Sequence, residues 1–185
     1  MTEAEQALLA TADKLFYARG IAGVGMDDVR DASGVSLRRL YSHYPSKRDL
    51  VTAWLQGRHR RWMDWFAEAV SRRIADGGDP LAAPFDAIEE WAASPGFRGC
   101  AFINAVAETT EINDDQRAIV ADHKRALIDY LERLFRDLRP DAPAWLPGAL
   151  GVLIDGAIVQ STVFGTSSPI EDARLAASHL LERSS

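Results

Sequence analysis

Residues 26–48 read MDDVRDASGVSLRRLYSHYPSKR, and this stretch decides the fold. Its first part has helical spacing and acidic residues in the first turn, and Gly34 is suited to end that short helix. Ser36 is suited to cap a second short helix, which ends before Pro45. Two short helices joined by a three-residue turn that contains glycine predict a helix-turn-helix.

The second helix of this pair is predicted to meet DNA. In a helix-turn-helix it enters the major groove, where its side chains reach bases and phosphates. Leu40 and Tyr44 are expected to pack inward, which leaves polar donors on the outer faces. From the pattern alone, an ordinary pair of helices in an all-α core remains the alternative.

The charge distribution agrees with a local polyanion contact. The 185 residues carry a net charge of −6, which by itself disfavours nucleic acid. Residues 1–60, however, hold nine Lys/Arg against seven Asp/Glu, and residues 30–48 hold five against one. Local potential decides contact with a polyanion, so the N-terminal segment remains a DNA-binding candidate on an acidic body.

Helical periodicity runs through the whole chain, and no alternating strand pattern interrupts it. The hydrophobic content of 47% is high enough for a sizeable core and excludes disorder. Glycine and proline breaks separate about nine helices, so the fold class is all-α. The longer predicted helices cover residues 47–75, 114–138, 144–164 and 169–183.

Residues 34–51 resemble the signature of the tetracycline-repressor (TetR) family of bacterial regulators. The matching features are Gly34-Val35-Ser36, the Leu40-Tyr41 pair, His43-Tyr44 and the Ser46-Lys47 pair that opens the next helix. The resemblance implies a helix-turn-helix DNA-binding domain at 1–46 and a ligand-binding and dimerisation domain at 47–185, with helix 47–75 as the connector. It also implies a homodimer through helices 144–164 and 169–183, and repression relieved by a small molecule.

The resemblance further assigns DNA-contacting positions. Tyr41 and Lys47 match phosphate contacts, positions 36–39 and 42 match those near the bases, and His43 matches a backbone contact. Adding Arg30, the expected DNA-binding residues are Arg30, Ser36, Leu37, Arg38, Arg39, Tyr41, Ser42, His43 and Lys47.

Three arginines depart from the family pattern. Arg38 and Arg39 stand where the family often has small residues, and Arg30 stands where it often has Ala. An arginine in the groove is suited to guanine through paired donors to O6 and N7, which favours a GC-rich half-site. Plain phosphate contacts are the alternative for all three.

Aromatic residues beyond position 54 predict an apolar pocket for an effector. The candidates combine aromatic side chains with polar groups on otherwise apolar helices, and for each one ordinary core packing is the alternative. They are Trp62, Trp65, Phe66, Trp91, Phe102, Asn104, Glu108, His123, Leu127, Tyr130 and Asp155.

Several classes of site and compartment are disfavoured. The four histidines show no ligand spacing and Cys100 is the single cysteine, so neither a metal nor a disulfide is expected. The thiol is expected to be a small buried side chain, with a redox switch as the alternative. No catalytic motif or cofactor loop appears, so no enzyme and no cofactor are expected.

The N-terminal residues and the most apolar predicted helix bear on where the protein is expected to act. The acidic, polar N-terminus does not resemble a signal peptide, and a cytoplasmic location is expected. Residues 148–165 approach the length of a membrane span, but Asp155 and four glycines favour a buried helix and no membrane partner.

The sequence thus predicts a transcriptional regulator, a repressor released from a palindromic operator by a small, largely apolar ligand. The alternative is a helical small-molecule or lipid carrier whose helix-turn-helix is non-functional.

Overall fold

The computed structural model describes residues 2–108, 112–138 and 140–182. These ranges contain nine α-helices and no strand, so the predicted all-α class is confirmed. In chain order the helices are α1 (Glu3–Arg19), α2 (Met26–Ser33), α3 (Leu37–His43), α4 (Lys47–Ala75), α5 (Ala83–Ala92), α6 (Ala101–Ala107), α7 (Asp114–Leu138), α8 (Leu146–Phe164) and α9 (Ser168–Glu182).

Local capping explains where the N-terminal helices begin and end. Thr2 and Glu5 form a reciprocal capping box at the start of α1. Gly34 ends α2 with a left-handed φ of 69°. Ser46 accepts the backbone N–H of Asp49 and donates to its carboxylate, which caps α4. These signals were all present in the sequence.

The long helices have the predicted extents, with small differences at their ends. Helices α4 and α7 span residues 47–75 and 114–138 as expected. Helix α8 begins at Leu146 rather than at 144, because Pro147 occupies its first turn, where proline needs no N–H partner. Helix α9 begins at Ser168, and its predicted end at 183 lies outside the described residues.

The chain divides into two compact units. The first unit comprises the chain up to Arg61 together with the segment between Ala101 and Ala121. The second comprises Trp62–Cys100 and the chain from Asp122 onward. This division differs from the predicted domains 1–46 and 47–185, because α4 and α7 each contribute residues to both units.

The first unit has its own apolar core. Helix α1 packs against α2 and α3. The core side chains, all at most 3% exposed, include Leu8, Ala12, Phe16, Val29, Leu40, Leu50 and Trp54. The helices of the helix-turn-helix therefore pack on a buried apolar core and do not form an isolated, solvated pair.

In the second unit α8 packs against α9 and α5. Gly151 lies against α7, because a Cβ at this position would meet Ile128 at 3.2 Å. This glycine therefore serves packing within the chain. A Cβ at Gly156 would meet no atom of another element within 4 Å, so this glycine faces outward.

Helix α8 has two different faces. Within the described residues it is the one helix whose length and composition are compatible with crossing a membrane. Its inner face is buried through Leu150, Ile154 and Ile158, as in the core helix of a globular unit. Val152 and Val163 on the outer face are 74% and 72% exposed. The helix is therefore not enclosed by its own chain on all sides.

Candidate nucleic-acid interface and aromatic cluster

The inward face of α3 fixes its orientation on the first unit. Leu40 is fully buried and Tyr44 is 5% exposed, as predicted. Within the part of the chain that the structure describes, the buried Tyr44 hydroxyl has no hydrogen-bond partner. Burial raises the pKa of Tyr44 to about 12, with a smaller contribution from the negative charge of Glu5.

The face of α3 opposite Leu40 carries Arg38 and Ser42. At 3.6 residues per turn, the positions two before and two after Leu40 lie about 160° around the helix from it. Both side chains are exposed, and no ion pair is described for the Arg38 guanidinium. These two residues therefore point away from the core of the unit. The floor of a DNA groove would lie on this outward side of α3.

One flank of α3 adjoins the N-terminus of α1. Ser36, Arg39 and His43 line a cavity of about 640 Å³ there, together with Thr2 and Glu3 of the first helical turn. Arg39 and His43 are one turn apart, so both can face an anion in this groove. Arg39 therefore occupies a different environment from its neighbour Arg38.

The other flank of α3 presents an apolar and an aromatic side chain. Leu37 is 41% exposed and Tyr41 is 44% exposed, one turn apart. Lys47 stands at the first residue of α4. An exposed apolar side chain next to a phenol is suited to contact a thymine methyl group and a phosphate.

Arg30 is engaged within its own helix. Its guanidinium donates to Asp27 Oδ1 at 2.6 Å and to Asp31 Oδ1 at 2.7 Å. The hydrogen bond from Arg30 lowers the pKa of the Asp31 carboxyl. The sequence predicts a contact between Arg30 and DNA. To make this contact, the guanidinium would have to leave its ion pairs with Asp27 and Asp31, and the attraction of the two carboxylates opposes that.

In the second unit Trp62 is the centre of an aromatic cluster. Its ring stacks on Phe66 at a centroid distance of 4.9 Å and meets Trp91 and His123 edge-on at 5.8 and 5.2 Å. Trp65 lies 6.2 Å from Trp62. These are favourable aromatic geometries, and they join five of the predicted effector-binding residues.

The cluster holds few polar atoms. The Trp62 Nε1–H is buried and has no hydrogen-bond partner among the described residues. His123 is 2% exposed. Tyr130 packs on Phe66 at 5.5 Å, and burial raises the pKa of its phenol. Leu127, also predicted for the pocket, is 2% exposed. An unpartnered indole donor is suited to an acceptor atom on a ligand.

Three of the predicted effector-binding residues lie in the first unit. Phe102 is 2% exposed there, and Asn104 is exposed. Glu108 accepts hydrogen bonds from the backbone amides of Ile21 and Ala22. The Glu108 carboxylate is therefore bound by the α1–α2 loop, and its effector contact stays a prediction.

Asp155 pairs with a lysine that the sequence did not single out. Lys124 Nζ donates to Asp155 Oδ1 and lies 3.5 Å from Cys100 Sγ. Cys100 is 6% exposed, as expected for a small buried thiol. Lys124 directly follows His123, which was a candidate for the pocket. The sequence does not show that Asp155 is the partner of Lys124, because this depends on the packing of α7 on α8.

A second cavity lies in the second unit, where sequence reasoning had placed none. It has a volume of about 410 Å³, and it lies between the residues that follow α5, including Phe97, and the C-terminal end of α8 at Ser161 and Thr162. Phe97 also meets Trp91 edge-on at 5.0 Å. Small residues with hydroxyl groups do not predict a cavity from the sequence. This cavity also depends on the course of the loop between α5 and α6.

Comparison with known proteins identifies the family. The family profile described as "Bacterial regulatory proteins, tetR family" matches residues 8–54, which contain the helix-turn-helix. The crystal structure of SCO4454, a TetR-family transcriptional regulator from Streptomyces coelicolor, superimposes with a TM-score of 0.83. It is 31% identical, and the alignment covers 98% of this chain and 90% of that one.

Two curated relatives extend the comparison. The repressor NemR of Escherichia coli is 21% identical over 174 residues, which cover 90% of this chain and 87% of NemR. The activator FasR of Mycolicibacterium smegmatis is 45% identical over 49 residues, 26% of this chain and 22% of FasR. Proteins of this family bind DNA operators and small-molecule effectors, act as dimers and are not enzymes. The chain belongs to the TetR family and is a DNA-binding transcriptional regulator.

Proposed function

We propose that this regulator is a repressor that binds a palindromic operator as a homodimer and is released by a small, largely apolar effector. The observation that carries the DNA-binding part is the position of Arg38 and Ser42 on α3, opposite the buried Leu40. Repression requires the same contact, followed by its loss when the effector binds. Its place of action is the cytoplasm, where the operator is.

The geometry of α3 supports a division of labour between its faces. Arg38 and Ser42 contact base edges, since they lie farthest from the core. Arg39 and His43, in the groove beside the N-terminus of α1, contact the phosphate backbone. On the opposite flank of α3, the contacts to the DNA backbone or to base edges come from Leu37, Tyr41 and Lys47. Ser36 lies in the turn before α3.

The exposed face of α8 and α9 supports dimerisation through these helices. Val152, Val159 and Val163 follow one another at helical spacing on α8 and are 42% to 74% exposed, and the adjacent Phe164 is 65% exposed. On α9 Leu175 is 54% exposed. An apolar stripe of this kind marks a protein interface, and a two-fold contact between helix pairs covers it on both subunits.

The aromatic cluster around Trp62 is the proposed effector site. Its rings suit an apolar or planar molecule, and the unpartnered Trp62 Nε1–H suits an acceptor on that molecule. Phe66, His123 and Tyr130 complete the proposed contacts.

Helix α4 supports the link between ligand and DNA, because it carries Lys47 at one end and Trp62 in its middle. Two recognition helices must lie about 34–36 Å apart to enter successive turns of the major groove. An effector that favours another tilt of α4 changes this separation and weakens DNA binding. By linkage, operator DNA weakens effector binding by the same factor.

A mobility-shift titration with the DNA that flanks the coding region tests the proposal. We expect a specific palindromic site and one dimer per site. Compounds that raise the melting temperature of the protein identify the effector, since a ligand of the native state stabilises it. Binding no tighter than that to an unrelated duplex would refute operator recognition, and a stabilising compound without effect on operator affinity would refute induction.

A further inference from the structure

A carboxylate from a distant part of the sequence holds the α1–α2 loop of the first unit. Glu108, directly after α6, accepts the Ile21 N–H on Oε1 at 3.1 Å and the Ala22 N–H on Oε2 at 2.6 Å. Both oxygens of one side chain are therefore bound by consecutive amides of the loop that leads into the helix-turn-helix. Hydrogen bonds to a charged acceptor are shorter and stronger than neutral ones.

The residue before these amides is shaped for the carboxylate. Gly20 has a φ of +79°, and a Cβ at this position would lie 2.9 Å from Glu108 Oε1. Glycine alone both adopts this backbone conformation readily and leaves room for the oxygen. The close approach of the carboxylate therefore depends on the backbone of the loop as well as on the Glu108 side chain.

The α1–α2 loop is braced internally, so that a displacement at Ile21 reaches α2. Arg19 donates to Gly23 O at 2.8 Å and to Asp28 Oδ1 at 3.0 Å. The Gly25 N–H also donates to Asp28, and this bond, together with that from Arg19, lowers the pKa of the Asp28 carboxyl. The Ile21 side chain is 1% exposed, which anchors the loop in the core.

A second polar contact comes from the first turns of α7. The Gln116 side chain is fully buried and donates from Nε2 to Arg48 O at 3.0 Å and to Thr52 Oγ1 at 3.1 Å. Its Oε1 accepts the Asn113 N–H at 3.0 Å, so both ends of the amide are used. Glu108 and Gln116 therefore hold the DNA-binding helices at two places, the α1–α2 loop and the start of α4.

We propose that Glu108 is a positioning residue for operator binding. It makes no DNA contact in this proposal and acts through the α1–α2 loop, which sets the orientation of α2 and, by packing, of α3. The inference rests on the proposed operator binding, and it assigns to Glu108 a role different from the effector contact predicted from the sequence.

The test compares Glu108→Gln with Glu68→Gln, which removes the same charge from an exposed position on α4. The amide of the first variant can accept one loop N–H but directs a donor at the other. Loss of a negative charge by itself favours DNA binding in both variants, so weaker binding by Glu108→Gln cannot come from the charge change. We expect Glu108→Gln to bind an operator duplex, selected from a random pool by the wild-type protein, at least about tenfold more weakly than Glu68→Gln.

Hydrogen exchange supplies a readout that does not depend on DNA. We expect the Ile21 and Ala22 amides to exchange slowly in the wild-type chain and in Glu68→Gln, and faster in Glu108→Gln. Should the Glu108→Gln chain fail to fold, the wild-type exchange still decides: rates at these two amides equal to those of an unstructured peptide would overturn the proposal.

A second pair of variants tests the close approach at Gly20. Gly20→Ala adds a Cβ against the carboxylate, whereas Gly77→Ala adds one at a φ of +89° with no atom within 4 Å. Both introduce backbone strain, but only Gly20→Ala is expected to weaken operator binding. Equal operator affinity of Glu108→Gln and Glu68→Gln would overturn this inference while leaving operator binding itself intact. A wild-type chain that selects no operator would overturn both.

Discussion

Lys124 on α7 and Asp155 on α8 form a partly buried ion pair, with Nζ 2.6 Å from Oδ1 and side chains 24% and 31% exposed. Asp155 is the single charged residue of α8, and this pairing accounts for its tolerance there. The pair also lies beside the Cys100 thiol. Its principal effect is therefore on the packing of α7 against α8.

Removing the carboxylate is expected to destabilise the protein. Asp155→Ala leaves the Lys124 ammonium without its partner, and we expect the free energy of unfolding to fall by about 1–3 kcal/mol. The loss stays below that of a fully buried pair because water reaches both groups. Urea denaturation at fixed protein concentration measures it, with Asp129→Ala, an exposed position on α7, as the control. Equal stability of the two variants would contradict a structural role for the pair.

The buried Tyr44 hydroxyl provides a test with a pH signature. Tyr44→Phe removes a polar atom that has no partner, so we expect unchanged or slightly increased stability at neutral pH. The pKa of Tyr44 rises from 10.0 to about 12 on folding. Between these values the unfolded chain loses the proton while the folded chain keeps it, so the wild-type free energy of unfolding falls as pH rises.

The Phe variant lacks this part of the alkaline loss. Denaturation curves at several pH values between about 9 and 12 measure the difference, and Tyr41→Phe, which removes an exposed hydroxyl from α3, is the control. A wild-type and Phe variant with parallel stability profiles across this range would show that the Tyr44 hydroxyl reaches water.

Arg38 and Arg39 are expected to contribute to DNA binding in different ways. Arg38→Ala should weaken operator binding by about 1–3 kcal/mol and relax the preference at one base pair. Arg39→Ala should weaken binding to operator and unrelated DNA alike and lower the salt slope by about one ion. Fluorescence anisotropy titrations over a range of salt concentrations separate the two effects. A specificity change in Arg39→Ala alone would reverse the assignment.

Much of the fold could be predicted from the sequence because its determinants are local. Capping residues, glycines of positive φ and the apolar periodicity of α4 and α7 depend on neighbours within a few positions. The inward positions of Leu40 and Tyr44 follow from the same periodicity. Helix boundaries and the helix-turn-helix therefore needed no tertiary information.

The partners of polar side chains could not be predicted, because they depend on which helices meet. Glu108 was predicted to line a pocket as a polar group on an otherwise apolar helix, yet the α1–α2 loop, some 87 positions away in sequence, supplies its donors. Lys124 and Asp155 are separated by 31 positions in the same way. Arg30 shows the converse case, since its acidic partners Asp27 and Asp31 lie only three positions and one position away in the sequence.

The exposed apolar stripe of α8 yields the last prediction. Val152 is 74% exposed in the single chain, and the proposed dimer contact buries it. Val152→Glu places a carboxylate from each subunit in that contact, where desolvation and mutual repulsion disfavour association. We expect the variant to sediment as a monomer at concentrations where the wild-type protein is a dimer.

Loss of the dimer should also reduce operator affinity, by at least about a hundredfold, because each monomer then engages one half-site without the effective concentration that a linked partner provides. The control is Ala118→Glu, which adds the same charge at an exposed position on α7 outside this stripe. Both variants add one negative charge per chain, and residue 118 lies in the unit that carries the DNA-binding helices. A larger loss of operator affinity in Val152→Glu than in Ala118→Glu is therefore attributed to loss of the dimer and not to general repulsion from DNA. A Val152→Glu protein that remains dimeric and binds the operator like the Ala118→Glu protein would place the dimer contact elsewhere on the molecule.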